Sequence, residues 1–183
     1  SGADDLSTDF AGGAMTFIKK LTSGGSDDDL SFVNGTSDVV LDSTYKEYLF
    51  IYNNMHPETD AQEFQVQGST DTGSSYGVTM TNATFNAYHD EADTAQALIY
   101  DTGGDDAQST AFFGLNASTG SDNDQSTSGY FHLFNPSSTV FVKHFISTSN
   151  DCQGGGGDYV SHSMEAGYFN TTSAIDAIGF KFG

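Results

Sequence analysis

Five histidines and a dense population of acids are the residues here whose types could do chemistry. Zinc chemistry needs close pairs, such as two histidines four apart on one helix face. His56 precedes Pro57 in a turn, and His89 is followed by Asp90 and Glu91 and reads as a loop residue. His132, His144 and His162 fall in three separate strand-like segments. No pair has metal-ligand spacing. Nucleophilic catalysis needs an activated Ser or Cys beside a base, and no G-x-S-x-G elbow occurs. The serines sit mostly beside Thr and Gly, which is turn chemistry. Paired carboxylates could cleave glycosides, but with 25 Asp and Glu any pair can be drawn, so no pair is informative. Cys152 stands alone, so no disulfide forms within the chain, and its neighbours Asp151 and Gly154 to Gly157 offer no cation to activate the thiol. The expectation is a non-enzyme with no catalytic residue and no cofactor.

Calcium is the best of the chemical signals. Asp122-Asn123-Asp124-Gln125-Ser126 resembles the start of an oxygen-ligand loop, with Asp122 and Asp124 as candidate ligands. It lacks the sixth-position Gly and twelfth-position acid of an EF-hand, and solvated loop acids are the competing reading. Asp27-Asp28-Asp29, and Asp101 with Asp105 and Asp106, are similar clusters. Four N-x-[ST] sequons begin at Asn34, Asn82, Asn116 and Asn170, and a chain this rich in Asn, Ser and Thr generates such matches by composition. Tyr76, Tyr88, Tyr100, Tyr159 and Tyr168 lie near turns, where they could meet sugars. There is no Trp, and most of the 9 Tyr and 15 Phe are needed for a core.

The charge balance narrows the partners. Five Lys plus Arg against 25 acids leave a formal charge of −20. Phosphate-backbone binding depends on cations that displace counterions, so nucleic acid is excluded, and anionic membrane surfaces are disfavoured for the same reason. No apolar run approaches the length of a membrane span, and no signal peptide is visible.

The elements that must position these residues are strands. Thr, Ser, Gly, Asn and Asp dominate and disfavour helix interiors; only 93–99 could pass for a helical turn, and equally for a strand. Strand patterns recur over 15–21, 38–42, 46–53, 63–69, 76–81, 84–89, 129–134, 139–147, 159–169 and the final Ile178, Phe180 and Phe182. Segment 46–53 is apolar on both faces, as expected of a strand buried between layers. Phe64 and Val66 alternate with Glu63, Gln65 and Gln67. Gly68 to Gly73 reads as a loop between two antiparallel strands, and Asn135-Pro136-Ser137-Ser138 as a tight turn. Many short strands with Gly-, Asn- and Asp-rich turns predict an all-β fold, a single antiparallel β-sandwich, jelly-roll-like, over 15–183. Residues 1–14 read as an N-terminal arm or linker, and a strand reaching the last residue predicts a missing closing strand.

Several stretches together resemble a known family: 41–50 (Leu41 to Phe50), 64–71 (Phe64 to Asp71), 85–91 (Phe85 to Glu91), His132 to Ser138, Val142-Lys143-His144-Phe145, and Gly167 to Ile175. As a set they resemble virion structural proteins, some called tail fibre-like, of tailed phages of marine bacteria, especially cyanophages. The resemblance spans roughly 40–183. It implies a non-enzymatic, surface-exposed β-sandwich appendage on the phage particle, of a kind that would serve host attachment. A head decoration or cement protein is the first alternative and a carbohydrate-binding adhesin module the second. The partners expected are other copies of the chain as a homotrimer, other virion proteins and a host cell-surface glycan. Exposed edge strands with few Lys and only two Pro to blunt them add to the case for an oligomer.

Overall fold

The computed structural model describes residues 15–25, 29–153 and 158–183. Among them the regular structure is entirely β. The strands are β1 Leu30–Val33, β2 Glu47–Met55, β3 Phe64–Ser69, β4 Met80–Asp90, β5 Gln96–Tyr100, β6 Ala107–Ser109, β7 Phe113–Gly114, β8 Thr127–Phe134, β9 Lys143–Gln153, β10 Tyr159–Phe169 and β11 Ala177–Phe182. One sheet has the order β1-β11-β3-β7 and the other β2-β8-β9-β10-β4-β5, with β6 also on β4. All pairings are antiparallel. The chain is the expected antiparallel β-sandwich, and it crosses repeatedly between the sheets, a jelly-roll-like path.

Aromatic side chains join the layers. Phe180 of β11 lies 5.7 Å from Phe64, stacked, and 5.6 Å from Phe50 and 6.3 Å from Phe131 on the opposite sheet. Phe131, Phe145 and Phe113 continue the cluster at 5.0 to 6.4 Å. With no Trp and few large aliphatics, Phe fills the interlayer space.

Several sequence expectations need correction. Segments 15–21 and 38–42 are not strands. Met15 and Phe17 are exposed, and only Ile18 of the first packs on the core. In the second, Ser37 and Asp38 take φ of 49° and 69°, which no strand accommodates. The Asn34 Oδ1 accepts the Leu41 N–H at 2.9 Å, turning the chain while Val39 and Leu41 stay buried. Residues 76–79 lie outside the strand, which starts at Met80, although the Thr79 carbonyl still accepts the Asn170 N–H at 2.6 Å. The loop after Gly68 connects the two sheets, since β3 and β4 do not pair. Segment 93–99 resolves as a turn into β5, and His89 lies within β4. β2 is an edge strand rather than a strand buried on both faces: Tyr48 and Tyr52 point inward, while Leu49 and Ile51 are exposed. The turn at Asn135 forms as expected, closed by Ser138 N–H to the Asn135 carbonyl at 3.0 Å. The expected arm at 1–14 lies outside the described residues.

Candidate functional site

The larger sheet is inverted over half its area. At one end its inner face is apolar, with Phe131, Leu133, Phe145, Phe169 and Met80. At the other end the inward positions are Ser147, Ser149 and Asp151 of β9, Ser161, Ser163 and Glu165 of β10, and Thr84 and Asn86 of β4, all buried. Alternation then sends the apolar residues outward. One row crosses six strands in register: Ile51, Tyr130, Thr148, Met164, Phe85 and Tyr100. Leu49, Ile146 and Leu98 flank it, with Leu98 77% exposed, and Val160 lies on the same face beyond His162. Phe85 and Tyr100 meet edge to face at 5.6 Å.

Charge is kept off this outer face. Its outward strand positions hold four of the five histidines, His89, His132, His144 and His162, and a single carboxylate, Glu47 at the β2 edge. Glu47 lies 3.2 Å from His132 Nε2. Among the described residues the other acids therefore lie in the loops, turns and inner layer, in a chain of charge −20. The histidines share a face without forming a ligand set. Among the described residues, no three His, Cys, Asp or Glu side chains converge to hold a metal directly.

Beneath the apolar row lies a polar cavity of about 210 Å³. Glu165, Ser163 and Thr84 form its floor, Asp101, Gly103 and Gly104 one wall, and Gly114, Asn116, Ala117 and Glu63 the other side. Glu165 is 2% exposed. Its Oε2 accepts a hydrogen bond from Ser147, while its Oε1 has no partner. Burial, reinforced by the nearby charges of Asp151 and Asp101, pushes its pKa up to about 8 despite the Ser147 bond. Asp151 is buried beside the same layer, and its pKa is raised to about 7 by desolvation. The Asn116 amide and the N–H groups of Ala117 and Ser118 pull the other way, but none reaches hydrogen-bond geometry with the carboxylate, so burial wins. A network of Tyr52, Ser149 and the Leu115 carbonyl borders these groups.

The sequence candidates fall elsewhere. Asp122 and Asp124 are exposed in a turn closed by Gln125 N–H to the Asp122 carbonyl at 2.9 Å. Asp27 and Asp28 lie outside the described residues, and Asp29 is exposed. Asp101 lines the cavity, with its Oδ1 accepting the Gly103 N–H at 2.9 Å, whereas Asp105 accepts the Tyr100 hydroxyl at 2.8 Å. Asn82 and Asn116 of the sequons are buried. Glu165 and Asp151 were not singled out as site residues by sequence reasoning. The usable signal is that Ser161, Ser163 and Glu165 share one parity in 159–169, opposite to Val160 and Met164.

Comparison with family models, curated proteins and solved structures finds no match to any of them.

Proposed function

We propose that this chain is a non-enzymatic structural component of a tailed-phage particle, a surface-exposed, tail fibre-like sandwich that assembles with copies of itself through the outer face of its larger sheet. The observation that carries the reading is the apolar row from Ile51 to Tyr100 on a face nearly free of carboxylates. Six strands about 4.8 Å apart, with outward residues spread over about 25 Å of strand, present roughly 600 Å². That approaches the ~800 Å² per partner of a standard interface. Exposed apolar side chains gathered on one face, here interspersed with histidines and hydroxyl side chains but nearly free of carboxylates, support an interaction site.

A second copy suits the face on charge. A cationic partner would be drawn to the acidic loops instead, whereas two such faces meet without opposing carboxylates and leave the like charges at the rim. Three flat faces closing around one axis bury the row at the centre of a trimer, a closed symmetric form. The resemblance of 40–183 to virion structural proteins supplies the setting. Cryo-electron microscopy of the particle tests it: density for this chain on the tail surface, in tens of copies or fewer, is expected. Hundreds of copies on the head would make it a decoration protein, and absence from the particle exterior would remove the reading.

The exposed rings of Tyr130, Phe85 and Tyr100 favour a second reading, a glycan-binding adhesin, since flat aromatic faces stack on sugars. Strong glycan-array binding by the isolated monomer would favour it over self-assembly.

A further inference from the structure

β5 is an open edge of the larger sheet. Among the described residues it pairs with β4 on one side and with no strand on the other. The Asp101 N–H donates to the Thr84 carbonyl at 2.9 Å, and the Asp90 N–H to the Ala95 carbonyl at 3.0 Å. The odd-numbered residues of 95–101 therefore turn their backbone groups toward β4, and alternation turns those of Gln96, Leu98 and Tyr100 away from it. Natural edges are blunted by charge, Pro, bulges or shortness. β1, β6 and β7 have four residues or fewer. β2 carries Glu47, a register shift between Tyr52 and Met55, and Asn54 at φ 52°. Gln96–Tyr100 has no charge, Pro or Gly, and its register with β4 is regular throughout. It is also apolar toward both sides of the sheet. Leu98 and Tyr100 point to the outer face, and Ile99, 41% exposed, to the inner side.

We propose that β5 is a strand-addition site for β5 of a second copy, antiparallel about a two-fold axis at Leu98, so that the larger sheet continues across the pair. In this register Gln96 faces the partner's Tyr100 and Leu98 faces the partner's Leu98, and every outward N–H and C=O of the three residues meets its counterpart. Moving the axis to residue 97 leaves Tyr100 unmatched, and moving it to residue 99 leaves Gln96 unmatched. On the inner side the small Ala97 lies beside the partner's larger Ile99. Charge fits the same register. Asp101 is the one acid in 95–101 and falls opposite the partner's Ala95, so no carboxylates oppose each other there in a chain of −20. The contact goes beyond the outer-face reading, because it uses backbone and inner-side groups and either contact forms without the other. Two five-residue strands cover well under the ~800 Å² per partner of a standard interface. The pair is therefore short-lived in solution and is captured by cross-linking rather than by sedimentation.

Disulfide trapping in the full chain, with Cys152→Ser to remove its own thiol, tests it. Ala97→Cys and Ile99→Cys place thiols on the inner side, where outer-face assembly cannot bring them together. Across the pair the register sets residue 97 of one copy and 99 of the other about 4.5 Å apart at Cα, within disulfide reach. Two copies of one variant hold their thiols on a diagonal of about 8 Å, beyond that reach. An equimolar mixture of the two variants, oxidised with copper–phenanthroline, should give roughly fivefold or more covalent dimer on non-reducing gels than either variant alone. Adding Leu98→Pro to both chains removes the central donor and leaves pairing with β4 intact. It should return the yield to that of the single variants while circular dichroism keeps the wild-type shape. Adding Met164→Glu should leave the yield unchanged, so failure of the outer-face reading is seen separately. A mixture no better than either variant alone, a folded Leu98→Pro pair that still cross-links, or loss of cross-linking with Met164→Glu would each overturn the assignment.

Discussion

Met164 and Glu165 are neighbours on β10 with reversed roles: the thioether is 52% exposed on the outer face and the carboxylate is 2% exposed beneath it. The sheet thus turns apolar side chains to solvent and leaves buried carboxylates without a counter-charge.

The buried acids set a pH dependence. Glu165 and Asp151 have folded pKa values of about 8 and about 7, above the ordinary carboxylate range. Between about pH 4 and pH 8 the folded state therefore binds more protons than the unfolded chain, and stability falls as pH rises through that window. The groups facing Glu165 are Ser147, Asp101 and Asp151, with no cation among them. Tm should drop by several degrees from pH 5.5 to 8.5. Glu165→Gln should flatten much of that slope, as followed by circular dichroism.

At the acid end the sign reverses. Asp71 is held down to about 2 by the Ser75 and Ser69 hydroxyls and the Ser75 N–H, so its contribution is lost only as pH falls below about 4. Asp71→Ala should lower the urea midpoint at neutral pH through loss of the hydrogen bonds from Ser69, Ser75 and the Ser75 N–H, and by less near pH 2. Urea titrations at the two pH values measure the difference.

Core and surface phenylalanines should separate cleanly. Phe180→Ala removes the ring that contacts Phe32, Phe50, Phe64 and Phe131 and should cost about 3–5 kcal/mol. Phe141→Ala, at a residue 69% exposed, should stay within about 0.5 kcal/mol. Chemical denaturation of both variants checks this.

Gly129 is a close-approach position. A Cβ there would lie 2.7 Å from the Tyr52 hydroxyl and 2.9 Å from the Ser149 Cα, and closer still to the Thr148 carbonyl. Gly129→Ala should destabilise by about 1–3 kcal/mol through forced backbone shift, seen as a lower urea midpoint with unchanged m-value.

Much of the fold is legible in period-two patterns. Segment 159–169 matches β10 to the residue, and 129–134 lies within β8. Parity is what the patterns leave open. In 159–169 a reader who buries the apolar set buries Val160 and Met164, yet the buried side is Ser161–Ser163–Glu165, with Asn116 and Ala117 across the cavity from Ser163 and Glu165. The same ambiguity hides the exposure of Leu49 and Ile51, because a strand apolar on both sides says nothing about which side meets another layer. The cavity was illegible for a different reason. Glu63, Asp101 and Glu165 are far apart in sequence and meet only through strand order, so no local spacing announces them. The acids that do cluster locally, Asp122 and Asp124, end in a solvated turn.

The assembly claim is tested most directly by sedimentation of the intact chain across concentration, alongside Met164→Glu and Phe85→Glu. The account predicts a wild-type oligomer that strengthens with salt, as screening relieves like charge at the rim, and folded monomers for both variants. A wild-type chain that stays monomeric at high concentration, or an oligomer indifferent to both substitutions, would contradict it.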